Sequence, residues 1–425
     1  MSILIKSGRV IDPKNKFDAV SDVLVENGKI LKIAKSINAD AAEKIDAKGM
    51  IVAPGLIDMH THVRQPGRED AEDFHSAQVA AAKGGFSSIT AMPNTNPACD
   101  NRGIVEYIIS EAGKAGIANI FPIGAITRER KGEDLAEIAD MKDAGVVAVS
   151  DDGCSVKNAQ LMRKALEYSK MFNVLVISHC EDLDLSQKGV MNEGLISTVL
   201  GLKGMPSISE FSFVQRDIEL AQLTGARLHI AHVSTKESVA IIKQAKKIGI
   251  DITCETCPHY FTLTDEAVKT FDTNTKVNPP LRTKEDVSAI IEGLKDGTID
   301  VIATDHAPHT EADKDVEFDA APSGIIGLET ALALSIAELI DKKILSYDEV
   351  IKKMSFNPSN ILGLTQKGSL SQGAAADIVV INPDKKWVFA KEQIASKSKN
   401  SPFIGRAFKG CAVITICNGK IVYRI

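Results

Sequence analysis

Residues 55–70 read GLIDMHTHVRQPGRED. An apolar run ends on His60 and His62, one residue apart, and Arg64 follows two positions on. In an extended chain, residues i, i+2 and i+4 lie on one face. Two imidazoles placed that way can share a metal ion, with a guanidinium beside them. A strand that ends in such a cluster belongs to a fold that gathers its chemistry at strand ends.

The rest of the chain repeats the same grammar. Short β-branched runs alternate with Ala-, Glu- and Lys-rich helical stretches such as SAQVAAAKGG and LAEIADMKDAG, which predicts parallel strands joined by crossover helices. The runs are MIVAPGLIDMH, FSSITAMPN, NIFPIGA, VVAVSDD, VLVISH, RLHIAH, DITCET and IDVIATD. Eight parallel strands close a β/α barrel, whose ligands sit at the C-terminal strand ends. Both flanks differ, carrying hairpin-like strands around Asn-Gly turns. The expected fold is therefore α/β: an eight-stranded barrel over 51–364, and a small β-sandwich built from 1–50 and 365–425.

Composition narrows the function classes. The 425 residues are 44% hydrophobic, enough for a large core, and carry a net charge of -6, which leaves no electrostatic footprint for nucleic acid. No run of 18 apolar residues offers a membrane span. The N-terminal MSILIKSGRVIDP alternates like a strand and lacks a signal-peptide pattern, so a cytoplasmic location is expected. Seven scattered cysteines suggest reduced thiols. Cys254 and Cys257 form a CxxC, but no second pair accompanies them and a zinc ribbon is not expected.

Nearly every strand ends in a polar group. Strand one delivers His60 and His62, strand four Asp151-Asp152, strand five His179, strand six His232 and strand eight Asp305. One buried histidine is most often a satisfied core residue; this many candidates at one end of a barrel predict a metal site. Four imidazoles with carboxylates suit zinc, with Mn, Co or Ni as alternatives, and exclude an oxygen cage of the calcium type. The set exceeds the needs of one tetrahedral ion, which points to two ions sharing a bridging ligand. His229 and His75 read as structural, and His259 stays undecided. His306 and His309 lie near the site.

The motifs GLIDMHTHVRQPG, AMPNT, SDDG, SHCE, AHVST, NPPLR and ATDHAPH, with NPSNILGL and KGSLSQGAAADIVVI further on, resemble the dihydroorotases of the amidohydrolase superfamily over essentially the whole chain. The resemblance implies reversible cyclisation of N-carbamoyl-L-aspartate to L-dihydroorotate in pyrimidine biosynthesis. It places one zinc on His60, His62, Asp152 and Asp305, and a second on Asp152, His179 and His232. Many relatives bridge the metals with a carboxylated lysine at the end of strand four; VVAVSDDG has none, which marks the bacterial class I type. Spacing alone leaves Asp151 as able to coordinate as Asp152, and the family's motif favours Asp152.

On this reading the metals activate a water and polarise the amide, and Asp305 carries the proton between nucleophile and ring nitrogen. Arg64 matches the carboxylate of the substrate as a planar fork. Asn94 and His309 resemble the family's other carboxylate contacts, and Asn278 and the Gly324 backbone its contacts to the ring amides. The acidic segment Thr310 to Pro322 looks like a mobile lid. A homodimer is expected, and an aspartate transcarbamoylase partner is possible for this family. Two rivals are another cyclic amidohydrolase (allantoinase, hydantoinase or dihydropyrimidinase), against which stand Arg64 and the absent lysine, and a non-catalytic scaffold subunit, against which stands the complete ligand set.

Overall fold

The computed structural model describes residues 2–425, so Met1 of the expected N-terminal segment lies outside the described residues. Eight parallel strands run in chain order around one sheet: Leu56–Asp58, Phe86–Ala91, Asn119–Gly124, Ala148–Ser150, Leu175–Ser178, Leu228–Ile230, Ile252–Thr256 and Val301–Ile302. The eighth meets the first just beyond the strand ends, where Thr61 bridges to His306 and the His62 N–H donates to the His306 carbonyl at 2.8 Å. Inside, Met59, Met92, Ile123, Leu175, Ile177 and Val301 fill the barrel. A larger apolar layer lies between strands and helices.

The helices follow their sequence signals. Phe74–Gly84 begins at Asp73, whose carboxylate accepts from the Ser76 N–H at 2.8 Å, and ends at Gly85 with φ 91°, the cap pair expected for a crossover helix. The stretch LAEIADMKDAG is helical only over Ile138–Ala144. Its first residues are drawn into pairing with the preceding loop, where Leu135 bridges to Thr127 and the Ala136 N–H donates to Ile126.

Both chain ends form a second sheet, in the order Lys420–Arg424, Ala407–Cys417, Ile378–Val388, Ile51–Pro54, Ser2–Asp12, Phe17–Glu26, Lys29–Ala34, with Glu43–Asp46 also on Ser2–Asp12. The expected sandwich is thus one hydrogen-bonded sheet wrapped around its own core, which includes Ile5, Val23, Val52, Ile378, Val380 and Ile416. The Asn27-Gly28 and Asn418-Gly419 turns have positive φ at all four residues, which matches a tight hairpin turn. They also abut: a Cβ on Gly419 would stand 2.5 Å from the Gly28 Cα.

One run divides differently from its sequence reading. MIVAPGLIDMH is two strands, because Ile51–Pro54 pairs with Ser2–Asp12 and Ile378–Val388, and only Leu56–Asp58 enters the barrel. The changeover falls at Gly55, where a Cβ would collide with the Ser87 side chain.

Candidate functional site

At the C-terminal mouth of the barrel, four imidazoles converge on one carboxylate. Asp152 lies 3.4 Å from His60 Nε2, 3.4 Å from His62 Nε2, 3.4 Å from His179 Nδ1 and 3.3 Å from His232 Nε2. Asp305 stands 3.0 Å from His62 Nε2 and 3.5 Å from His60 Nε2. All six residues are buried. Donor atoms of His60, Asp152 and His232, and of His60, His62 and Asp305, fall within 4.8 Å of one another. Asp151 is turned away, accepting from the Ile126 and Thr127 N–H groups at 2.8 and 3.0 Å and from the Thr127 hydroxyl.

Each converging imidazole on strands one and five has its far nitrogen engaged by another residue. His60 Nδ1 meets Glu255 Oε1 at 2.5 Å, His62 Nδ1 meets Asn94 Oδ1 at 2.8 Å, and His179 Nε2 meets Glu181 Oε2 at 3.1 Å. Such partners are acceptors, so they hold the N–H on the far nitrogen and leave the lone pair on the near one. His60 Nε2 is buried and has no hydrogen-bond partner. A buried nitrogen lone pair aimed at two carboxylates is unfavourable unless something cationic lies between them. The residues present therefore fit a metal ion.

The electrostatics agree. Burial would lower the His60 pKa, but Asp152, Glu255 and Asp305 hold it well above its ordinary value. Burial would raise Asp152, yet His60, His179 and His232 hold it well below the carboxylate range. Burial works against Asp305 too, and the field of His60 with the His62 hydrogen bond keeps it below its ordinary value. A carboxylate ionised at neutral pH can take a proton from a nucleophile. The backbone is strained at this end: Arg64, His232 and Asp305 have φ of 69°, 31° and 48°, each a left-handed conformation that costs on the order of 1–3 kcal/mol for a residue with a Cβ.

A cavity of about 230 Å³ opens over the cluster and is lined by Arg64, Asn94, Asn278, His309 and Gly324 together with His62, Asp152, His179, His232 and Asp305. Arg64 Nε donates to the Pro308 carbonyl at 3.0 Å, and Nη2 lies 3.3 Å from His309 Nε2. Among the described residues no carboxylate forms an ion pair with it. Burial lowers its pKa to about 10, so it stays cationic. Asn94 is spent partly on His62, a role the sequence reading missed. Asn278 Nδ2 donates to Glu181 at 2.9 Å, while its buried Oδ1 has no partner. The Gly324 N–H is committed to the Lys276 carbonyl at 2.9 Å and its carbonyl accepts from Asn400 Nδ2 at 3.1 Å. This leaves one carbonyl lone pair unengaged. The His309 ring lies 2.9 Å from the Ser323 carbonyl, and burial beside Arg64 lowers its pKa to about 3.

Two carboxylates behind the histidines escaped the sequence reading. Glu181 lies two residues after His179, and the rule that put His62 on the face of His60 would have found it. Glu255 is the penultimate residue of strand seven, fully buried between His60 and His229, whose Nε2 is 3.3 Å from Glu255 Oε2. The remaining histidines differ: His306 Nδ1 accepts from the Gly327 N–H at 3.1 Å, and His259 is buried with its pKa lowered to about 4. All seven cysteines are free, and Cys254 and Cys257 are buried in apolar surroundings with their thiol pKa values raised by burial. The segment 310–322, expected to be a mobile lid, is packed down here. Phe318 is buried against Val268, and Lys314 Nζ donates to the Thr273 and Pro322 carbonyls at 3.1 and 2.8 Å.

Among the described residues no helix is long and apolar enough to cross a membrane. Residues 49–238 match the dihydro-orotase-like family model, and residues 230–423 match the amidohydrolase family model. The chain is 53% identical to the dihydroorotase of Geobacter metallireducens over 425 residues, covering 100% of both chains. It is 54% identical to that of Geotalea daltonii, again over 100% of both. Among solved structures, the L-hydantoinase of Arthrobacter aurescens superposes with a TM-score of 0.90 at 26% identity, covering 99% of this chain and 96% of that one. The dihydropyrimidinase of Brevibacillus agri shares the fold, with a TM-score of 0.86 at 24% identity over 100% and 95%. Matched over its full length by relatives at this level of identity, the chain belongs to the dihydroorotase family of cyclic amide hydrolases, within the amidohydrolase superfamily.

Proposed function

We propose that the chain catalyses the reversible cyclisation of N-carbamoyl-L-aspartate to L-dihydroorotate, with two zinc ions held by His60, His62, Asp152, His179, His232 and Asp305 and with Asp152 shared between them. When bound, the ions supply an acidified water and polarise the amide carbonyl. The observation that carries the substrate is Arg64. Its guanidinium is half-buried at the cavity wall and forms no ion pair with a carboxylate among the described residues, and a ligand carboxylate outside the reacting amide completes the pair bidentately. Asp305, beside His62 and His60, moves the proton between water and ring nitrogen. Asn278 Oδ1 accepts from a substrate N–H, and Asn94, His309 and the Gly324 carbonyl close the rest of the cavity. Homodimerisation, an aspartate transcarbamoylase partner and a cytoplasmic location rest on the family resemblance and the sequence pattern.

Parallel assays of the zinc-loaded protein on dihydroorotate, dihydrouracil, hydantoin and allantoin test this reading. Dihydroorotate is expected to turn over best; equal turnover of an uncharged ring would favour the hydantoinase reading. Loading should also proceed in bicarbonate-free buffer. Lys157, the lysine next after Asp152 in sequence, pairs at the surface with Asp184 at 2.6 Å, and activity that appeared only with bicarbonate would require a carboxylated lysine instead of Asp152.

A further inference from the structure

One oxygen behind the cavity wall serves both halves of the site. Glu181 Oε2 lies 3.1 Å from His179 Nε2 and 2.9 Å from Asn278 Nδ2. His179 presents its other nitrogen to Asp152, and Asn278 lines the cavity with its other amide atom, Oδ1, buried and without a partner. Glu181 follows His179 by two residues after strand five, whereas Asn278 comes from the loop after strand seven, 97 residues from Glu181, so the sharing of one oxygen is a product of the fold. Glu181 is itself buried.

We infer that Glu181 is a positioning residue that ties metal affinity to substrate recognition by setting the orientation of His179 and Asn278 at once. A carboxylate only accepts hydrogen bonds. It therefore compels His179 to carry its proton on Nε2, which frees Nδ1 as a ligand. By the same constraint Asn278 must turn its NH2 toward Glu181, which leaves the carbonyl oxygen toward the substrate. Without Glu181 the amide is free to rotate by half a turn and offer a donor where the substrate also has one. An acceptor at this wall selects ligands that carry an N–H, as both a cyclic imide and a ureido group do. The substrate half of this inference rests on the proposed dihydroorotate chemistry; the metal half stands without it.

The test compares Glu181→Leu, Glu181→Gln and Asn278→Ala, alone and combined. Glu181→Leu should weaken zinc affinity about 10- to 100-fold, the usual effect of losing the partner of a ligating histidine, measured by competition with a chromophoric chelator. It should also raise the KM for dihydroorotate about 5- to 100-fold, as expected when a buried polar group loses its partner. Glu181→Gln, whose carbonyl oxygen can take the place of Oε2, should recover most of both. Asn278→Ala should raise KM with zinc affinity unchanged. In the Asn278→Ala background, Glu181→Leu should add nothing further to KM while still weakening zinc, measured at saturating metal. Additive KM effects, or zinc affinity untouched by Glu181→Leu, would overturn the inference. If Glu181→Leu fails to fold, Glu181→Gln losing as much as Asn278→Ala in KM would do the same. A wild-type protein inactive on dihydroorotate would sink the proposed substrate and leave the zinc measurements to decide the metal half.

Discussion

The mouth of the barrel and the sheet built from the chain ends obey opposite rules. In the sheet, the buried Asp377 is fully paired: it accepts from the Asn418 N–H at 2.7 Å and from Lys367 Nζ at 2.6 Å. At the sheet's two Asn-Gly turns the left-handed residues are of types that tolerate that conformation, although Ser7 and Lys16 in the same region also have positive φ. At the mouth, left-handed backbone falls on Arg64, His232 and Asp305, and His60 Nε2 and Asn278 Oδ1 are buried without partners. There, strain and unmet hydrogen bonds fall on groups that a ligand or ion can complete. The sheet is built for stability and the mouth for binding, so changes in the two regions should separate activity from stability.

The sharpest way to break that comparison is Asp305→Asn. It should cost about 10²- to 10⁴-fold in kcat, the usual worth of a positioned proton carrier, while the melting temperature moves by no more than a few degrees. A large stability loss with modest kinetic damage would make Asp305 structural. Arg64→Met should follow, losing roughly 30-fold to a few thousand-fold in kcat/KM on dihydroorotate if the buried charge pair is worth about 2–5 kcal/mol. Zinc content should hold, and the slow turnover of dihydrouracil should fall little. Equal losses on both substrates would remove Arg64 as the carboxylate reader.

On the sheet side, Gly419→Ala places a Cβ at positive φ and against Gly28, which should destabilise by about 1–3 kcal/mol in urea titration with kcat/KM unchanged. A kinetic defect in this variant would show that the two regions are coupled. The smallest effect concerns Lys314, whose burial lowers its pKa to about 7. The unfolded chain holds that proton more tightly, so the folded form gains stability as pH rises from about 7 toward the ordinary lysine value of 10.5. The melting temperature of wild type relative to Lys314→Gln should therefore increase between pH 6.5 and 9. A constant difference would mean that the ammonium is not excluded from water under the 310–322 segment.

The eight strands and the polar residues at their ends were legible because both depend on short-range pattern: β-branched runs, helical stretches and the alternation of faces along a strand. The Asn-Gly hairpins were legible for the same reason, since two residues settle the turn. The assignment of Ile51–Pro54 was not, because an apolar run carries no mark of which sheet it joins. That choice is made by Ser2–Asp12 and by Ile378–Val388, the latter more than three hundred residues away.

The sequence by itself determined a barrel with histidines and aspartates at its mouth, and a guanidinium on the same face as the first two. Only the tertiary structure shows which of Asp151 and Asp152 faces the histidines. Neighbouring residues of an extended chain point to opposite sides, and which side is inward depends on how the strand registers against its neighbours. The tertiary structure likewise brought Glu255 to His60 across 195 positions and Glu181 to Asn278 across 97. Such partners carry no local signal. A carboxylate inside a strand reads the same whether it faces solvent or an imidazole, and closure of the barrel supplies the neighbour that gives it a role.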